Sequence, residues 1–175
     1  VSRIETGKGW NVLIDAILEL RLSGDFAGKR VLFVGYGEQA EMLNEKINDL
    51  DLSDCCYYLG PKTHRELSEL YNQADIMIFP TMLYESLGLV GIEAMACGCP
   101  VIGSDIGCLP EYIKEGITGF LFEPGNSHEL AERIVDFYKL TEKQRNTMRL
   151  EAIRYVDKYE YRKISQALIN KIKEI

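Results

Sequence analysis

Five short apolar runs, separated by segments of helical periodicity, constrain the fold of this 175-residue chain more than any other feature. The runs are Arg30–Gly35, Cys55–Gly60, Asp75–Pro80, Pro100–Ser104 and Gly119–Phe122. None of them alternates polar with apolar residues, so both faces of each strand are expected to be buried by helices. The sequence therefore predicts an α/β domain with a doubly wound, Rossmann-like parallel sheet, followed by a helical tail after about Tyr138.

The segments between these runs carry helical patterns with clear start signals. The first helix has an apolar stripe at 3.6-residue spacing, formed by Trp10, Leu13, Ile14, Ile17 and Leu20. Three later helices open with a capping residue that is followed three positions on by Glu or Gln: Thr63 with Glu66, Asn126 with Glu129, and Thr141 with Gln144. Strand and helix thus alternate within one domain that spans residues 1–175.

Composition excludes several classes of function. The net charge of −7 argues against a surface that binds nucleic acid or acidic lipid. No apolar stretch approaches the ~20 residues that a membrane-spanning helix needs. The five cysteines lie in or beside apolar segments, which predicts reduced thiols and a cytoplasmic protein: Cys55, Cys56, Cys97, Cys99 and Cys108. Because the Cys97-Gly98-Cys99 pair lacks a second pair or a nearby histidine, we expect no metal site.

The first strand leads into a glycine turn, Gly35-x-Gly37-x-x-Ala40, with the shape of a dinucleotide-binding fingerprint. An NAD site also needs an acidic residue at the end of the second strand, and the acids in that window precede the strand instead: Asp49, Asp51 and Asp54. Glu38 would moreover place a like charge beside a pyrophosphate. We therefore favour a tight turn in which Gly35 leaves room for backbone or ligand, with NAD as the alternative.

A lone carboxylate interrupts the most apolar helical segment of the chain. Within residues 89–97 the only polar side chain is Glu93, so the sequence predicts a helix from Gly88 to Cys97 that is buried on all sides. A buried carboxylate must be paired or hydrogen-bonded. Either Glu93 meets solvent, an interior arginine or a backbone amide, or it accepts two hydrogen bonds from a diol such as a ribose.

The start of the same helix suits a phosphate group. Its unpaired backbone N–H groups are expected at Leu87, Gly88 and Leu89. Glu85 just before them is an acid that the helix dipole favours. Arg3 and Lys8 flank the end of an apolar half-strand that we expect at the same edge of the sheet, so together they can clamp a diphosphate; either alone could be an ordinary solvated charge.

Nine short motifs in a fixed order carry a resemblance to a known family. They are Arg3…Lys8-Gly9, Val34-Gly35-x-Gly37, Tyr58-Leu59-Gly60, Leu70-Tyr71-x-x-Ala74-Asp75, Phe79-Pro80, Glu85-x7-Glu93, Glu93-Ala94-Met95-Ala96-x-Gly98-x-Pro100-Val101, Pro110-Glu111 and Gly116-x-Thr118-Gly119. Over nearly its whole length the chain resembles the carboxyl-terminal, donor-binding half of the family 4 glycosyltransferases, which have the GT-B fold. It departs from the family at Ser86, often Gly there, and at Leu87, usually Phe, which leaves the donor sugar open.

The resemblance implies a hexosyltransferase that moves a sugar from a nucleotide-diphosphate donor, with UDP or GDP, to an acceptor with retention and without metal or cofactor. It implies that Glu93 holds the ribose and that Glu85 contacts hydroxyls of the donor sugar. Arg3 and Lys8 would hold the diphosphate, with Glu85 as the third catalytic residue. The amides around Gly88 and Leu89 would assist, and the base would lie near Leu59–Lys62 and Gly35.

The resemblance also implies a partner, the amino-terminal acceptor-binding domain. The chain begins at Val1 without a preceding methionine, and we expect a fragment that is inactive alone. Residues 159–175 are expected to form a helical tail that packs on the missing domain, with Ile164, Leu168 and Ile172 on one face. The expected location is cytoplasmic, or peripheral at the inner membrane face through the missing half. Alternatives are an NAD-type oxidoreductase, a nucleotide-sugar epimerase or phosphorylase half, and a non-catalytic nucleotide-sugar-binding module.

Overall fold

The computed structural model describes residues 1–160 and residue 163. Within them lie five short strands: β1 (Val31–Phe33), β2 (Cys56–Tyr58), β3 (Met77–Phe79), β4 (Val101–Ser104) and β5 (Gly119–Phe122). The helices are α1 (Trp10–Ser23), α2 (Ala40–Asp49), α3 (His64–Gln73), α4 (Leu89–Ala96), α5 (Leu109–Tyr112), α6 (Ser127–Lys139) and α7 (Glu142–Val156), and a short 3-10 helix follows at Asp157–Tyr159. Every predicted strand therefore forms, each at or within the predicted bounds.

All strand pairs are parallel, as expected for a doubly wound fold. β1 pairs with β2, and β3, β4 and β5 form a second, three-stranded sheet in that order. The predicted half-strand at the start of the chain is extended but not part of a strand ladder. It lies beside the end of β1, where Ser2 N–H donates to the Val34 carbonyl at 3.0 Å and Ile4 N–H to the Tyr36 carbonyl at 2.8 Å.

Helices cover both faces of the three-stranded sheet, and neighbouring residues of one strand serve different cores. Ile102 of β4 packs in a core built mainly on α1, α2 and α6, whereas Val101 packs in the core built on α3, α4, α5 and α7. Burial on both faces explains why the apolar runs of β3, β4 and β5 do not alternate. It confirms the predicted α/β class. For β1 and β2 the expectation of two buried faces was wrong: Leu32 is 43% exposed, because it lines an open cleft, and Tyr57 is 38% exposed.

The residues that were predicted to begin three of the helices form capping hydrogen bonds. The hydroxyl of Thr63 accepts from the Glu66 N–H, and that of Thr141 accepts from the Gln144 N–H, each in a complete capping box. Asn126 caps α6 in the same way without the return bond. The apolar stripe of α1 is buried along its whole length.

The glycine turn after β1 serves a close backbone approach. A Cβ on Gly35 would lie 1.8 Å from the Ser2 carbonyl oxygen, and one on Gly37 would lie 2.2 Å from that of Ile4. Gly35 also has a φ of 139°, which side-chain-bearing residues rarely adopt. The start of the chain thus fills the space beside the turn, which favours the tight-turn interpretation over a dinucleotide fingerprint.

The expectation that the α4 helix is buried on all sides was wrong. Ile92, Ala94 and Met95 are buried, but Leu89 is 59% exposed and Ala96 is exposed as well. The helix starts at Leu89, with Gly88 as its N-cap rather than its first residue. Leu89 is exposed because the first turn of α4 lies at the rim of the molecule, where the strands end.

A cleft of about 740 Å³ separates β1 from β3 and is lined by both strands and by α1. Lys8 lines this cleft, but neither Glu85 nor Glu93 does. Among residues 1–160, none of the helices has the length and apolar character required to cross a bilayer. The predicted helical tail over 159–175, with its apolar face and its packing on another domain, falls almost wholly outside the described residues.

Candidate functional site

Two loops at the carboxyl ends of the strands bring the predicted residues together. The loop before α1 contains Lys8, and the loop from Pro80 to Gly88 joins β3 to α4. Met82 N–H donates to the Gly7 carbonyl at 2.7 Å, which ties one loop to the other. Lys8 and Glu85, 77 positions apart in sequence, thereby share one edge of the fold, the edge at which ligands of open α/β sheets bind.

Lys8 and Glu85 form a largely buried ion pair in the candidate site. The Lys8 Nζ lies 2.7 Å from Glu85 Oε1, and the two side chains are only 14% and 17% exposed. Thr81, which is fully buried, has its Oγ1 3.2 Å from the same carboxylate oxygen. Oε1 takes both contacts, so Oε2 of Glu85 remains as an acceptor, and the ammonium of Lys8 keeps two further N–H donors.

The amino-terminal end of α4 presents a row of free backbone donors. Among the residues that the structure describes, no acceptor is bonded to the N–H groups of residues 84–90, and the first bonded amide is that of Gly91, 2.9 Å from the Gly88 carbonyl. Gly88 itself has left-handed dihedral angles, φ 62° and ψ 46°, and no side chain caps the helix. Such an end combines unsatisfied N–H groups with the positive end of the helix dipole.

The β4–α5 connection supports this loop from beneath. Cys108 N–H donates to the Glu85 carbonyl at 3.0 Å, and the Tyr112 hydroxyl donates to the Gly88 carbonyl at 3.2 Å. Gly88 also faces the ring of Phe79, which lies 3.2 Å from the position of a Cβ. The backbone of Glu85 and the start of α4 are therefore both held by hydrogen bonds from the β4–α5 connection.

Glu93 is half-buried on α4, five residues after Gly88. Its side chain makes no hydrogen bond or ion pair with any described residue, which removes the interpretation of Glu93 as one half of an interior ion pair within that part of the chain. The rise of 1.5 Å per residue puts it about 7.5 Å along the helix from Gly88. Glu93 thus lies about one and a half turns along the helix from its start, and its carboxylate can accept hydrogen bonds from a ligand.

Arg3 is less engaged than Lys8. Its guanidinium lies 3.0 Å from Glu5 and its side chain is 61% exposed, so it is free to turn toward an anion at this edge. Leu87 is also exposed, together with a set of neighbouring apolar residues at the rim: Met82, Leu83, Tyr84 and Leu89. A second substrate or domain could cover them.

The predicted base-binding region lies at the tips of β1 and β2. Gly35 N–H donates to the Gly60 carbonyl at 3.0 Å, and the Tyr58 hydroxyl donates to the Gly35 carbonyl at 2.9 Å. Leu59 N–H donates to Phe33. Because these groups are already bonded, a base at this position would meet the remaining carbonyls and the faces of the turns rather than the Gly35 amide.

Sequence reasoning missed three residues that shape the site: Thr81, Cys108 and Tyr112. Thr81 directly follows β3 and Pro80, so the rule that strand carboxyl ends carry functional groups could have found it. Cys108 and Tyr112 act through main-chain groups of distant residues, and no spacing in the sequence signals that.

Lys8, Glu85 and the start of α4 thus lie together at one edge of the fold, with Arg3 five residues before Lys8 and Glu93 five residues after Gly88. Two cations and the helix end suit an anion of high charge, and the two carboxylates suit hydroxyl groups. The arrangement matches a phosphorylated sugar compound better than either a peptide or a nucleic acid.

Comparisons with known proteins relate the chain to glycosyltransferases. The sequence profile of the family "Glycosyl transferases group 1" matches residues 1–154. The amylovoran biosynthesis glycosyltransferase AmsK of Erwinia amylovora is 32% identical over 136 residues, 75% of this chain and 33% of that protein. The N-acetyl-alpha-D-glucosaminyl L-malate synthase of Bacillus anthracis is 35% identical over 117 residues, 67% of this chain and 30% of that protein.

Solved structures match almost the entire chain. Anabaena Alr3699/HepE in complex with UDP superposes with a TM-score of 0.87 at 26% identity, covering 99% of this chain and 47% of that one. A glycosyltransferase from Rickettsia africae gives the same TM-score and identity, with 99% and 46% covered. The chain spans about a third of the length of these curated relatives and about half of these solved chains. From its fold, its site and these matches, the chain belongs to the group 1 glycosyl transferases and has the α/β architecture of GT-B enzymes.

Proposed function

We propose that this chain is the carboxyl-terminal, donor-binding part of a family 4 glycosyltransferase that moves a hexose from a nucleotide-diphosphate sugar to an acceptor. The observation that carries the proposal is the open start of α4 beside the Lys8–Glu85 pair, with the unpaired Glu93 one and a half turns on. The diphosphate would lie on the amides of α4, and the ribose would donate to Glu93.

The same contacts supply the chemistry. Negative charge grows on the diphosphate as the bond to the sugar breaks, so donors that already point at it stabilise the transition state more than the ground state. Lys8 can donate to the diphosphate while still paired with Glu85, because its ammonium has three donors. The free Oε2 of Glu85 would accept from a hydroxyl of the sugar and hold the anomeric carbon in place.

Three finer parts of the proposal come from the resemblance to family 4: retention at the anomeric carbon, independence of metal, and an amino-terminal domain that binds the acceptor. The exposed apolar rim from Met82 to Leu89 fits the last part, because a second domain would cover it. UDP is the first nucleotide to test, since Alr3699/HepE binds UDP and UDP-glucose. GDP remains the alternative. The proposed location is cytoplasmic, with any membrane contact through the amino-terminal domain.

Ligand-dependent unfolding tests the proposal with the chain as it stands. We expect UDP or GDP, in the presence of EDTA, to raise the melting temperature; saturation at 100 times the dissociation constant adds about 2.7 kcal/mol of stability. ADP and NAD serve as matched controls. Stabilisation by NAD alone would contradict the proposal and favour an NAD-type oxidoreductase.

Activity needs the full-length protein. Transfer of a labelled hexose from UDP- or GDP-sugar, with the anomeric configuration of the product read by NMR, separates a retaining transferase from its alternatives. Interconversion of the donor sugar without transfer would indicate an epimerase, and tight donor binding without any turnover a binding module.

A further inference from the structure

Tyr112 is almost fully buried, with 1% of its surface exposed, yet its hydroxyl is directed at the candidate site. The hydroxyl donates to the Gly88 carbonyl, the N-cap residue of α4, at 3.2 Å. Burial raises the pKa of Tyr112, so the group keeps its proton and stays a donor at neutral pH. One carbonyl at the start of α4 therefore accepts both the Gly91 N–H and this hydroxyl.

Two glycines make room for the hydroxyl. A Cβ on Gly88 would lie 2.7 Å from the Tyr112 oxygen, and a Cβ on Gly91 would lie 2.5 Å from it. Real Cβ atoms do not approach an oxygen so closely, so the phenol tip occupies space that only glycine leaves at both positions. The helix start and the tyrosine are thus matched in shape as well as by a hydrogen bond.

The same connection fixes the acidic residue of the site. Cys108, four residues before Tyr112, donates its N–H to the Glu85 carbonyl at 3.0 Å. A Cβ on Gly107 would lie 2.5 Å from the Glu85 carbonyl oxygen, so the backbone segments at Gly107 and Glu85 are in direct contact. Residues 107–112 therefore hold the loop from Glu85 to Gly88 at both of its ends.

We propose that Tyr112 is a positioning residue that aims the free amides of α4 at the diphosphate of the donor by fixing the left-handed conformation of Gly88. The inference rests on the proposed function, and it adds a specific consequence. Loss of the hydroxyl should weaken binding of the phosphate part of the donor and leave binding of the nucleoside part unchanged.

The test compares UDP with uridine on the wild-type chain and on Tyr112→Phe, by calorimetry for UDP and NMR titration for uridine. We expect Tyr112→Phe to bind UDP about fivefold to tenfold more weakly, the effect of one neutral hydrogen bond, while the affinity for uridine stays the same. Tyr57→Phe is the matched control, because it removes a hydroxyl that also donates to a main-chain carbonyl, that of Asp54 at 2.7 Å, away from the site.

A second variant, Gly91→Ala, keeps the tyrosine and fills the space that its hydroxyl occupies. Gly91→Ala should displace the hydroxyl and weaken UDP binding by a similar factor, and adding Tyr112→Phe to it should cost little more, because both act on one hydrogen bond. Unchanged UDP affinity in Tyr112→Phe, or an equal loss for UDP and uridine, would overturn the inference while the proposed function stands. A wild-type chain that bound neither UDP nor GDP would overturn both; if it binds GDP alone, the same comparison is made with GDP and guanosine.

Discussion

The amino-terminal ends of α3 and α7 differ sharply from that of α4, although all three helices pack in the same core. Thr63 and Thr141 each close their helix with a reciprocal capping box. At α4 a left-handed Gly88 stands where the capping side chain would be, and the N–H groups of residues 84–90 have no acceptor among the described residues. At α3 and α7 a side chain satisfies the first N–H groups, whereas at α4 we expect a ligand to supply the acceptors. A missing cap alone does not mark a ligand site, because α1 and α2 also begin without a side-chain cap.

The difference has an energetic cost that a bound ligand would offset. An uncapped end forgoes on the order of 1 kcal/mol of helix stability. It gains a set of oriented donors at the positive end of the helix dipole. If this comparison is correct, variants near α4 should change binding and turnover, whereas variants at the capped ends should change stability alone.

The largest effect is expected from the cations beside α4. Lys8→Ala and Arg3→Ala should each lower turnover of the full-length transferase by about 10²- to 10³-fold, because a lost donor to developing charge typically has an effect of that size. Lys46→Ala is the control, since Lys46 pairs with Asp15 on the surface. Wild-type turnover in both site variants would show that the cations do not act on the leaving group.

The second-largest effect is expected from Glu93, which is proposed to bind the ribose. Glu93→Gln keeps the size of the side chain and removes its charge, so we expect binding of UDP to weaken on the order of tenfold to a hundredfold. The measurement is calorimetry with UDP and with 2′-deoxy-UDP. The wild type should prefer UDP, and the variant should lose most of that preference. Equal discrimination by the two proteins would place the ribose elsewhere.

At the capped ends we expect changes in stability without changes in binding. Thr141→Ala should lower the free energy of unfolding by about 1 kcal/mol and leave the affinity for UDP unchanged. Thr147→Ala, in the interior of the same helix, is the control and should not destabilise, because Ala is the better helix former there. A fall in UDP affinity for Thr141→Ala would contradict the division between the two kinds of helix end.

The smallest effect is expected at the start of α6. His128 lies 2.6 Å from Glu19 of α1, and this hydrogen bond raises the pKa of His128 above its ordinary value. A raised pKa means that the stabilisation is fully present below about pH 6.5 and is lost as the pH rises through the folded-state value. Melting curves of the wild type and His128→Gln should therefore differ at pH 6 and coincide at pH 9 in low salt, and a constant difference would mean that the charge plays no part.

Much of the fold could be predicted because its signals are local. Apolar runs located all five strands, although they wrongly indicated two buried faces for β1 and β2. The capping spacing at Thr63, Asn126 and Thr141 located three helix starts. The error at α4 has a physical reason. An apolar composition indicates burial only where neighbours cover the helix, and the first turn of α4 at Leu89 reaches past the strand ends.

The site was predicted as a set of residue types but not as a network. Lys8 and Glu85 were both expected at the sheet edge, yet their 2.7 Å ion pair depends on the loop contact between Gly7 and Met82. Gly35 was expected to leave room, but what filled that room, the Ser2 carbonyl, could not be read from spacing.

By itself the sequence determined which segments are strands and helices and which charged residues stand at the carboxyl ends of the strands, because periodicity, capping and strand ends are properties of neighbouring residues. Only the tertiary structure decided that Glu85 is shared by Lys8 and Thr81, that Glu93 stays unpaired among the described residues, and that Tyr112 reaches Gly88. The Lys8–Glu85 and Tyr112–Gly88 contacts join residues 77 and 24 positions apart, and the packing of the elements, rather than any local preference, sets their distances.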